Sequence, residues 1–194
     1  MVTSAEKALF PPEDYLRDEE CTELKHEYLD GEVWAMVGAT DFHVTIAMNL
    51  AYLLKANLKD TPYQSYISDM KVHVEKANAF FYPDVLVTCD KKDKQSRLYK
   101  QSPIFIAEVL SPSTESYDRG LKFSCYRQLE SLNEYWLIDT QKIAIDTFRR
   151  NDDNDWVMHS YSEQEQEQDA MITSLDLTFP LGDLYEDVEL DIPH

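Results

Sequence analysis

The chain has 194 residues, 43% of them hydrophobic, which is enough apolar material for a buried core, and we expect residues 1–194 to form a single domain. No apolar run approaches the ~20 residues that cross a bilayer, and the N-terminus lacks the features of a secretory signal, so membrane and secreted proteins are disfavoured. The formal net charge of −19 disfavours nucleic-acid binding but favours solubility and divalent cations. Three scattered cysteines are typical of reduced thiols, so a cytoplasmic location is expected.

The N-terminal part is predicted to contain an arm, a helix and a strand. Residues 1–10 are expected to form a loose arm. Pro11-Pro12, followed by two acids, is a helix-start signal, and the pattern predicts a helix over 13–29. Asp30-Gly31 is a turn signal, and the residues 32–37 that follow it read as a strand.

A second helix is predicted over 42–58, because apolar residues recur there at three- and four-residue steps. His43 falls on the inner face of its first turn. Two interpretations of His43 are open: a partly buried histidine satisfied by a backbone carbonyl, or a polar group at the mouth of a site. Residues 63–74 predict one or two strands with a break near Ser68-Asp69.

The remaining elements alternate between strands and one further helix. A helix is expected over 115–131, where Asp118, Lys122 and Tyr126 share one face at four-residue steps. Residues 163–169 are expected to form an exposed polar loop, and a tail over 175–190 to return apolar groups to the body. The other predicted strands are 85–87, 104–110, 134–139, 142–148 and 156–161. This order predicts a mixed α/β (α+β) fold with a central mixed sheet flanked by helices and additional antiparallel strands.

Two central apolar runs each carry one carboxylate. Asp84 stands at the entrance to 85–87, and Glu108 lies inside 104–110. A buried ionised carboxylate costs several kcal/mol or more unless a partner, a proton or a cation compensates it. Two such acids on runs that can lie side by side suggest a cation, with Asp84, Glu108 and a strand carbonyl near Val109 as hard oxygen ligands for Mg²⁺. Lys122 would position a water or stabilise charge on a transferring phosphorus.

The spacing of these residues resembles the PD-(D/E)xK nuclease superfamily, although Leu110 stands where its common form has a lysine. Lys122, on the following helix, is the natural replacement. Four blocks resemble the "putative restriction endonuclease" domain family, a bacterial branch of that superfamily, and together they span roughly residues 12–185. They read HEYLDGEVWAMVGATDFHVTIAMNL, YPDVLV, IAEVLSPSTESYDRGLKFSCYRQL and NEYWLIDT.

The resemblance implies a restriction-endonuclease-like core, a Mg²⁺ or Mn²⁺ site, DNA as substrate and often a homodimer. It also implies an early acid, for which Glu27 and Glu32 are the positions here. Glu27 is slightly favoured, with His43 nearby. The expected roles are metal binding by Asp84 and Glu108 and assistance to the water by Lys122.

The acidity of the chain leaves alternatives open. A nuclease of this charge must concentrate its basic residues against DNA, and binding should be weak and salt-sensitive. The candidates lie between the two central strands: Lys91, Lys92, Lys94, Arg97 and Lys100. The alternative for this basic stretch is a solvated loop. The alternative for the whole protein is a non-cutting interaction or regulatory protein on the nuclease scaffold. A glycosidase with paired carboxylates, using Trp34, Trp136 or Trp156 as a sugar platform, ranks last.

Overall fold

The computed structural model describes residues 10–36, 38–162 and 169–190. Within them the α-helices are α1 (Pro12–Glu19), α2 (Asp41–Asn57), α3 (Lys91–Gln95), α4 (Glu115–Tyr117) and α5 (Phe123–Tyr126). A π-helical segment, Asp118–Lys122, joins α4 to α5. Short 3₁₀ turns cover Glu75–Ala77, Thr173–Leu175 and Leu181–Tyr185. None of the helices described is long and apolar enough to cross a membrane.

The strands form three sheets, which confirms the predicted mixed architecture. The strands are β1 (His26–Leu29), β2 (Glu32–Ala35), β3 (Gln64–Ile67), β4 (Lys71–Val74), β5 (Ala79–Phe81), β6 (Val85–Thr88), β7 (Tyr99–Lys100), β8 (Pro103–Val109), β9 (Glu134–Ile138), β10 (Ile145–Arg150), β11 (Trp156–Tyr161), β12 (Asp169–Ile172) and β13 (Leu177–Pro180). The central sheet has the order β11-β10-β9-β8-β6-β3, in which β8 and β9 are parallel and the other pairs antiparallel. A second sheet has the order β2-β1-β5-β4-β7, and β12 pairs with β13.

The central sheet is buried on both faces. On one face Val85 and Ala107 pack with Ile46 and other α2 residues. On the opposite face Leu86 and Ile106 pack with residues of α5. Because side chains alternate along a strand, Glu108 points to the same side as Ile106, toward the helical segment that carries Lys122.

Helix α2 is close to its predicted bounds because its start signal is local. The Thr40 hydroxyl accepts a hydrogen bond from the backbone N–H of His43 at 3.4 Å, and Asp41 supplies an acid in the first turn. Its buried residues, Ile46, Ala47, Leu50 and Leu54, recur at helical spacing. The cap therefore fixes His43 in the first turn of the helix.

The predicted helix over 13–29 is wrong in its second half. Helix α1 ends at Glu19, and His26–Leu29 is strand β1, paired antiparallel with β2 and with β5. Asp30 and Gly31 both have positive φ, as a tight hairpin turn requires. Leu24, predicted on the inner side of the helix, is 63% exposed.

Three further elements differ from the sequence predictions. Part of the connection over 90–97 is helix α3, whose N-terminus is capped by the Asp90 carboxylate. The helix predicted over 115–131 is three short segments that end at Tyr126. The strand predicted over 142–148 begins only at Ile145. The predicted break near Ser68-Asp69 is confirmed, since β3 ends at Ile67 and β4 begins at Lys71.

Two predictions fall almost entirely outside the described residues. Of the arm predicted over 1–10, only Phe10 is described, and it is partly buried against an aromatic cluster. Of the loop predicted over 163–169, only Asp169 is described, as the first residue of β12.

Candidate active site

The two central carboxylates lie opposite each other at one end of the β6–β8 ladder. Val85 pairs with Ala107 in this antiparallel pair, so the same register, continued by one residue, places Asp84 across from Glu108. Side chains of directly opposed residues project to the same face. One Asp84 carboxylate oxygen, Oδ2, also accepts a 2.7 Å hydrogen bond from the backbone N–H of Val109. The hairpin therefore brings Asp84, Glu108 and Val109 together.

Lys122 lies at the centre of a buried cluster of carboxylates. Its Nζ is 3.1 Å from Glu27 Oε1, 3.2 Å from Glu108 Oε1 and 3.4 Å from Asp118 Oδ1. The whole lysine is only 6% exposed. The π-helical segment that carries it is a feature found often at functional sites.

Of the two early acids, the structure places Glu27 in this cluster. Glu27 lies on β1 and is buried, and its Oε1 accepts a 3.0 Å hydrogen bond from the backbone N–H of Tyr82 in addition to contacting Lys122. Glu32 lies on β2, where its side chain is exposed. The strand order explains the difference, because β1 lies inside the sheet, between β2 and β5, whereas β2 lies at its edge.

His43 joins the site through Asp84. Its Nε2 lies 2.8 Å from Asp84 Oδ1. The partner of the His43 ring is therefore a carboxylate, and not a backbone carbonyl as in the first of the two interpretations from the sequence. Burial lowers the pKa of His43, but the hydrogen bond and charge of Asp84 outweigh it, and the net pKa is raised. His43 Nδ1 is buried, with no hydrogen-bond partner among the residues described.

The electrostatics of the cluster are dominated by excess negative charge. Burial raises the pKa of Glu108 well above its usual value; Lys122 opposes this shift, while the neighbouring carboxylates add to it. Burial alone would lower the pKa of Lys122, but Glu108 and the other acids raise it well above normal. Lys122 and His43 therefore lie among four acidic side chains: Glu27, Asp84, Glu108 and Asp118.

The donor set suits a hard divalent cation. No group of three or more His, Cys, Asp or Glu side chains arranged to hold a metal occurs in residues 10–36, 38–162 and 169–190. Mg²⁺ needs fewer protein ligands, because it is usually held by one or two carboxylates and keeps several waters. Asp84, Glu108 and the main chain at Val109 fit that requirement, and the excess negative charge around them favours a cation.

Aromatic side chains that the sequence did not assign to the metal site pack in and around the cluster. The Tyr126 hydroxyl donates a 3.2 Å hydrogen bond to Glu108 Oε1. The ring of Tyr117 lies 5.6 Å from Lys122 Nζ and packs edge-on against Trp34. The four-residue step from Lys122 to Tyr126 is the sequence signal for Tyr126. For Tyr117 and Trp34 the sequence offers no comparable signal, since they meet only through the tertiary fold.

Replacing Tyr126 by phenylalanine should lower the free energy of unfolding by about 1.5–3 kcal/mol, the usual range for a hydrogen bond to a charged group. The loss reflects a buried carboxylate that keeps its charge but loses a donor. Urea denaturation of Tyr126→Phe measures it. Tyr135→Phe is the matched control, because Tyr135 is equally buried and donates to the neutral carbonyl of Asp118. An equal loss in both variants would contradict the special role of Glu108 as acceptor.

The candidate basic residues divide into two groups. Lys91, Lys92, Lys94 and Arg97 are exposed, and their contact with DNA stays a prediction. Lys100 is 1% exposed and donates to the carbonyls of Asp93 and Ser96 at 2.6 and 2.5 Å, where it closes the C-terminal end of α3. The prediction that Lys100 contacts DNA is therefore wrong.

The fold and the residue arrangement define a nuclease-like scaffold: a mixed sheet with acids on two adjacent antiparallel strands and a lysine from the following helical segment. A solved structure described as a "putative nuclease belonging to DUF820" from Anabaena variabilis ATCC 29413 superposes with a TM-score of 0.69 at 15% identity, over 87% of this chain and 93% of that one. This similarity supports the restriction-endonuclease-like fold predicted from the sequence.

Residues 12–182 match the Uma2 family, described as "Putative restriction endonuclease", and the chain belongs to that family. Two proteins of Synechocystis sp. (strain ATCC 27184 / PCC 6803 / Kazusa) are similar over most of their length. "Uncharacterized protein slr1290" is 36% identical over 95% of this chain and 97% of its own. "Uncharacterized protein sll1609" is 34% identical over 81% of this chain and 90% of its own.

Proposed function

We propose that this protein is a Mg²⁺- or Mn²⁺-dependent endonuclease that hydrolyses phosphodiester bonds of DNA. The observation that carries the proposal is the position of Lys122, whose Nζ lies 3.2 Å from Glu108 on the strand opposite Asp84. A lysine pointing to solvent would have left two acids without a catalytic partner. Family membership and the nuclease-like scaffold support the same conclusion.

Each residue has a separate part in the proposed reaction. Asp84 and Glu108, with the main chain at Val109, would hold the cation, which when bound polarises a phosphoryl oxygen and lowers the pKa of a water. Lys122 would orient the attacking water or stabilise the charge that develops on phosphorus. Glu27 holds Lys122 in place, and His43 orients Asp84 through Nε2.

Substrate binding must overcome the charge of the chain. With a formal net charge of −19, affinity for DNA should be weak and should fall steeply as salt rises. The exposed residues Lys91, Lys92, Lys94 and Arg97 on and after α3 are the proposed contacts. The described cysteines are free thiols, in keeping with the proposed location in the cytoplasm.

Two alternatives remain distinguishable. A non-cutting interaction protein is favoured by the acidity of the chain and by Leu110, which stands where the common form of the nuclease motif has a lysine. A glycosidase needs an exposed aromatic platform, but Trp136 is completely buried and Trp156 packs against Phe123 and Arg150. Trp34 is partly buried and packs edge-on against Tyr117. Metal binding is thus the property that separates the first proposal from its main competitor.

Adding Mg²⁺ or Mn²⁺ should raise the melting temperature. At a concentration about ten times the dissociation constant, linkage predicts a gain of about 1.4 kcal/mol, or about 3–5 °C for a chain of this length. The measurement is a thermal denaturation series in MgCl₂ and MnCl₂. NaCl of equal ionic strength is the control, because salt alone screens the repulsion of an acidic chain.

The variant Asp84→Asn tests whether the metal that raises the melting temperature binds at Asp84. Its melting temperature should respond to MgCl₂ no more than to NaCl. An unchanged melting temperature of the wild-type protein in millimolar divalent metal would reject the metal-dependent mechanism and favour the non-cutting alternative.

A further inference from the structure

Strand β11 forms one edge of the central sheet and is exposed on both faces. Within the described part of the chain it pairs with β10 alone, in a continuous antiparallel register over its whole length. The side chains of Val157 and Met158 point to opposite faces and are 52% and 53% exposed. The next two residues, His159 and Ser160, are exposed as well. The edge therefore offers four consecutive accessible residues, two on each face.

This edge lacks the features that usually protect a sheet from pairing with another chain. Natural edges are blocked by a short strand, a proline, a charged side chain or a bulge. Among the described strands, β7 has two residues, β3 has four, β2 carries the exposed Glu32, β12 begins with Asp169 and β13 ends in Pro180. β11 has six residues without Lys, Arg, Asp, Glu or Pro, and its register with β10 contains no bulge. It is therefore the least protected of these edges.

The surface beside β11 determines the chemistry of a partner. The turn that leads into β11 contains Asp152, Asp153 and Asp155, all of them exposed. A strand that pairs with β11 and extends past its first residue meets these acids, so a basic side chain is favoured at that end. Met158 lies opposite Phe148 of β10, which packs against the core on that face. An apolar side chain of an added strand would continue this apolar surface.

We propose that β11 binds an extended, basic segment of a partner protein, which joins the central sheet as an additional strand. The main chain of the segment supplies the hydrogen bonds, apolar side chains on its two faces contact Val157 and Met158, and a lysine or arginine lies beside the three acids. The formal net charge of −19 attracts a basic partner at long range. β11 lies three strands away from β8, which carries Glu108, so this surface is separate from the candidate active site.

The size of one strand sets the expected strength of binding. A standard interface buries about 800 Å² on each partner, and a single added strand of six residues supplies only part of that area. We expect a dissociation constant on the order of 100 μM at low salt. Binding should weaken as the NaCl concentration rises, because salt screens the attraction between the exposed acids and the basic end of the segment.

Fluorescence anisotropy of the full chain with three labelled synthetic peptides tests the proposal. KKTVTVTV combines strand-forming residues with a basic end, EETVTVTV reverses the charge of that end, and KKTVPVTV carries a proline that interrupts strand pairing. The first peptide should bind at least about tenfold more tightly than either of the others. Met158→Lys, which adds a charge to the edge, should weaken its binding by a similar factor. Met48→Lys is the matched control, since Met48 is 59% exposed on α2, and should leave binding unchanged.

Amide hydrogen exchange gives a second, independent test. The amides of β11 that point away from β10 should become protected when KKTVTVTV binds, because a paired strand satisfies them, whereas charge attraction alone leaves their exchange unchanged. The double variant Asp152→Asn/Asp153→Asn should weaken binding of KKTVTVTV and leave that of a neutral peptide, SSTVTVTV, unchanged. Circular dichroism verifies that every variant stays folded.

Four results would overturn the proposal: equal binding of the three peptides, no binding of KKTVTVTV at millimolar concentration, no protection of β11, or a self-associating chain whose dimer Met158→Lys abolishes. The last result would mean that a second copy of the chain, and not a basic segment, occupies the edge. None of these outcomes bears on metal-dependent cleavage, which the proposal does not require.

Discussion

Replacing Asp84 by asparagine should reduce metal-dependent cleavage of DNA on the order of 10³-fold or more. Asn has the shape of Asp but lacks the charge, so the cation would lose one of its two carboxylate ligands. His43 would also lose the negative partner that orients its ring. The measurement is the initial rate of cleavage of supercoiled and linear DNA in Mg²⁺ and in Mn²⁺.

The same substitution should change the free energy of unfolding by less than about 1 kcal/mol in the absence of divalent metal. The asparagine oxygen can still accept the hydrogen bond from the N–H of Val109. Burial is the main cause of the raised pKa of Glu108, and removal of Asp84 relieves a smaller contribution, the repulsion between the two acids. Lost cleavage with retained stability is therefore the expected combination.

Asp139→Asn is the control for this experiment. Asp139 directly follows β9, as Asp84 directly precedes β6, and the two side chains are 19% and 15% exposed. Its carboxylate accepts a hydrogen bond from the N–H of Gln141 and contacts Lys142, and it has no place in the proposed metal site. Cleavage retained by Asp84→Asn would reject its role as a metal ligand. An equal loss of cleavage in both variants would indicate that activity depends on any acid at a strand end and not on Asp84 in particular.

The central hairpin of the site could be predicted from the sequence because its signals are local. Two apolar runs of strand length, each with one acid and separated by a polar connection, predict neighbouring strands. Lys122 could be associated with them because Asp118, Lys122 and Tyr126 share a helical face, and the observed contacts preserve that spacing. The π-helical turn changes the backbone but not the side on which these residues lie.

The position of the early acid could not be predicted, because it depends on tertiary pairing. The residues before Asp30 are helix-compatible in isolation, and only pairing of β1 with both β2 and β5 makes them a strand. That pairing turns Glu27 inward and leaves Glu32 exposed. The burial of Lys100 is a similar case, since its two carbonyl partners exist only once α3 has formed.

Replacing Lys122 by methionine should lower the free energy of unfolding by about 3–5 kcal/mol, the usual cost of removing one partner from a buried ion pair. Methionine keeps the unbranched chain that packs beside Tyr117, so the loss is mainly electrostatic. Glu27, Glu108 and Asp118 would remain buried without the cation that contacts all three. Denaturation in urea without divalent metal measures the effect, and Lys142→Met, at an exposed lysine, should change stability by less than about 0.5 kcal/mol.

A double variant separates charge from packing. If the three acids repel one another once Lys122 is gone, adding Glu27→Gln to Lys122→Met removes one unpaired charge and should restore part of the stability. In the wild-type background Glu27→Gln should instead be destabilising, because Lys122 loses a partner at 3.1 Å. The coupling between the two substitutions should be at least about 1 kcal/mol. Additive effects, or a Lys122→Met variant as stable as wild type, would mean that Lys122 does not neutralise the carboxylates, and its proposed position beside a transferring phosphoryl group would lose its physical basis.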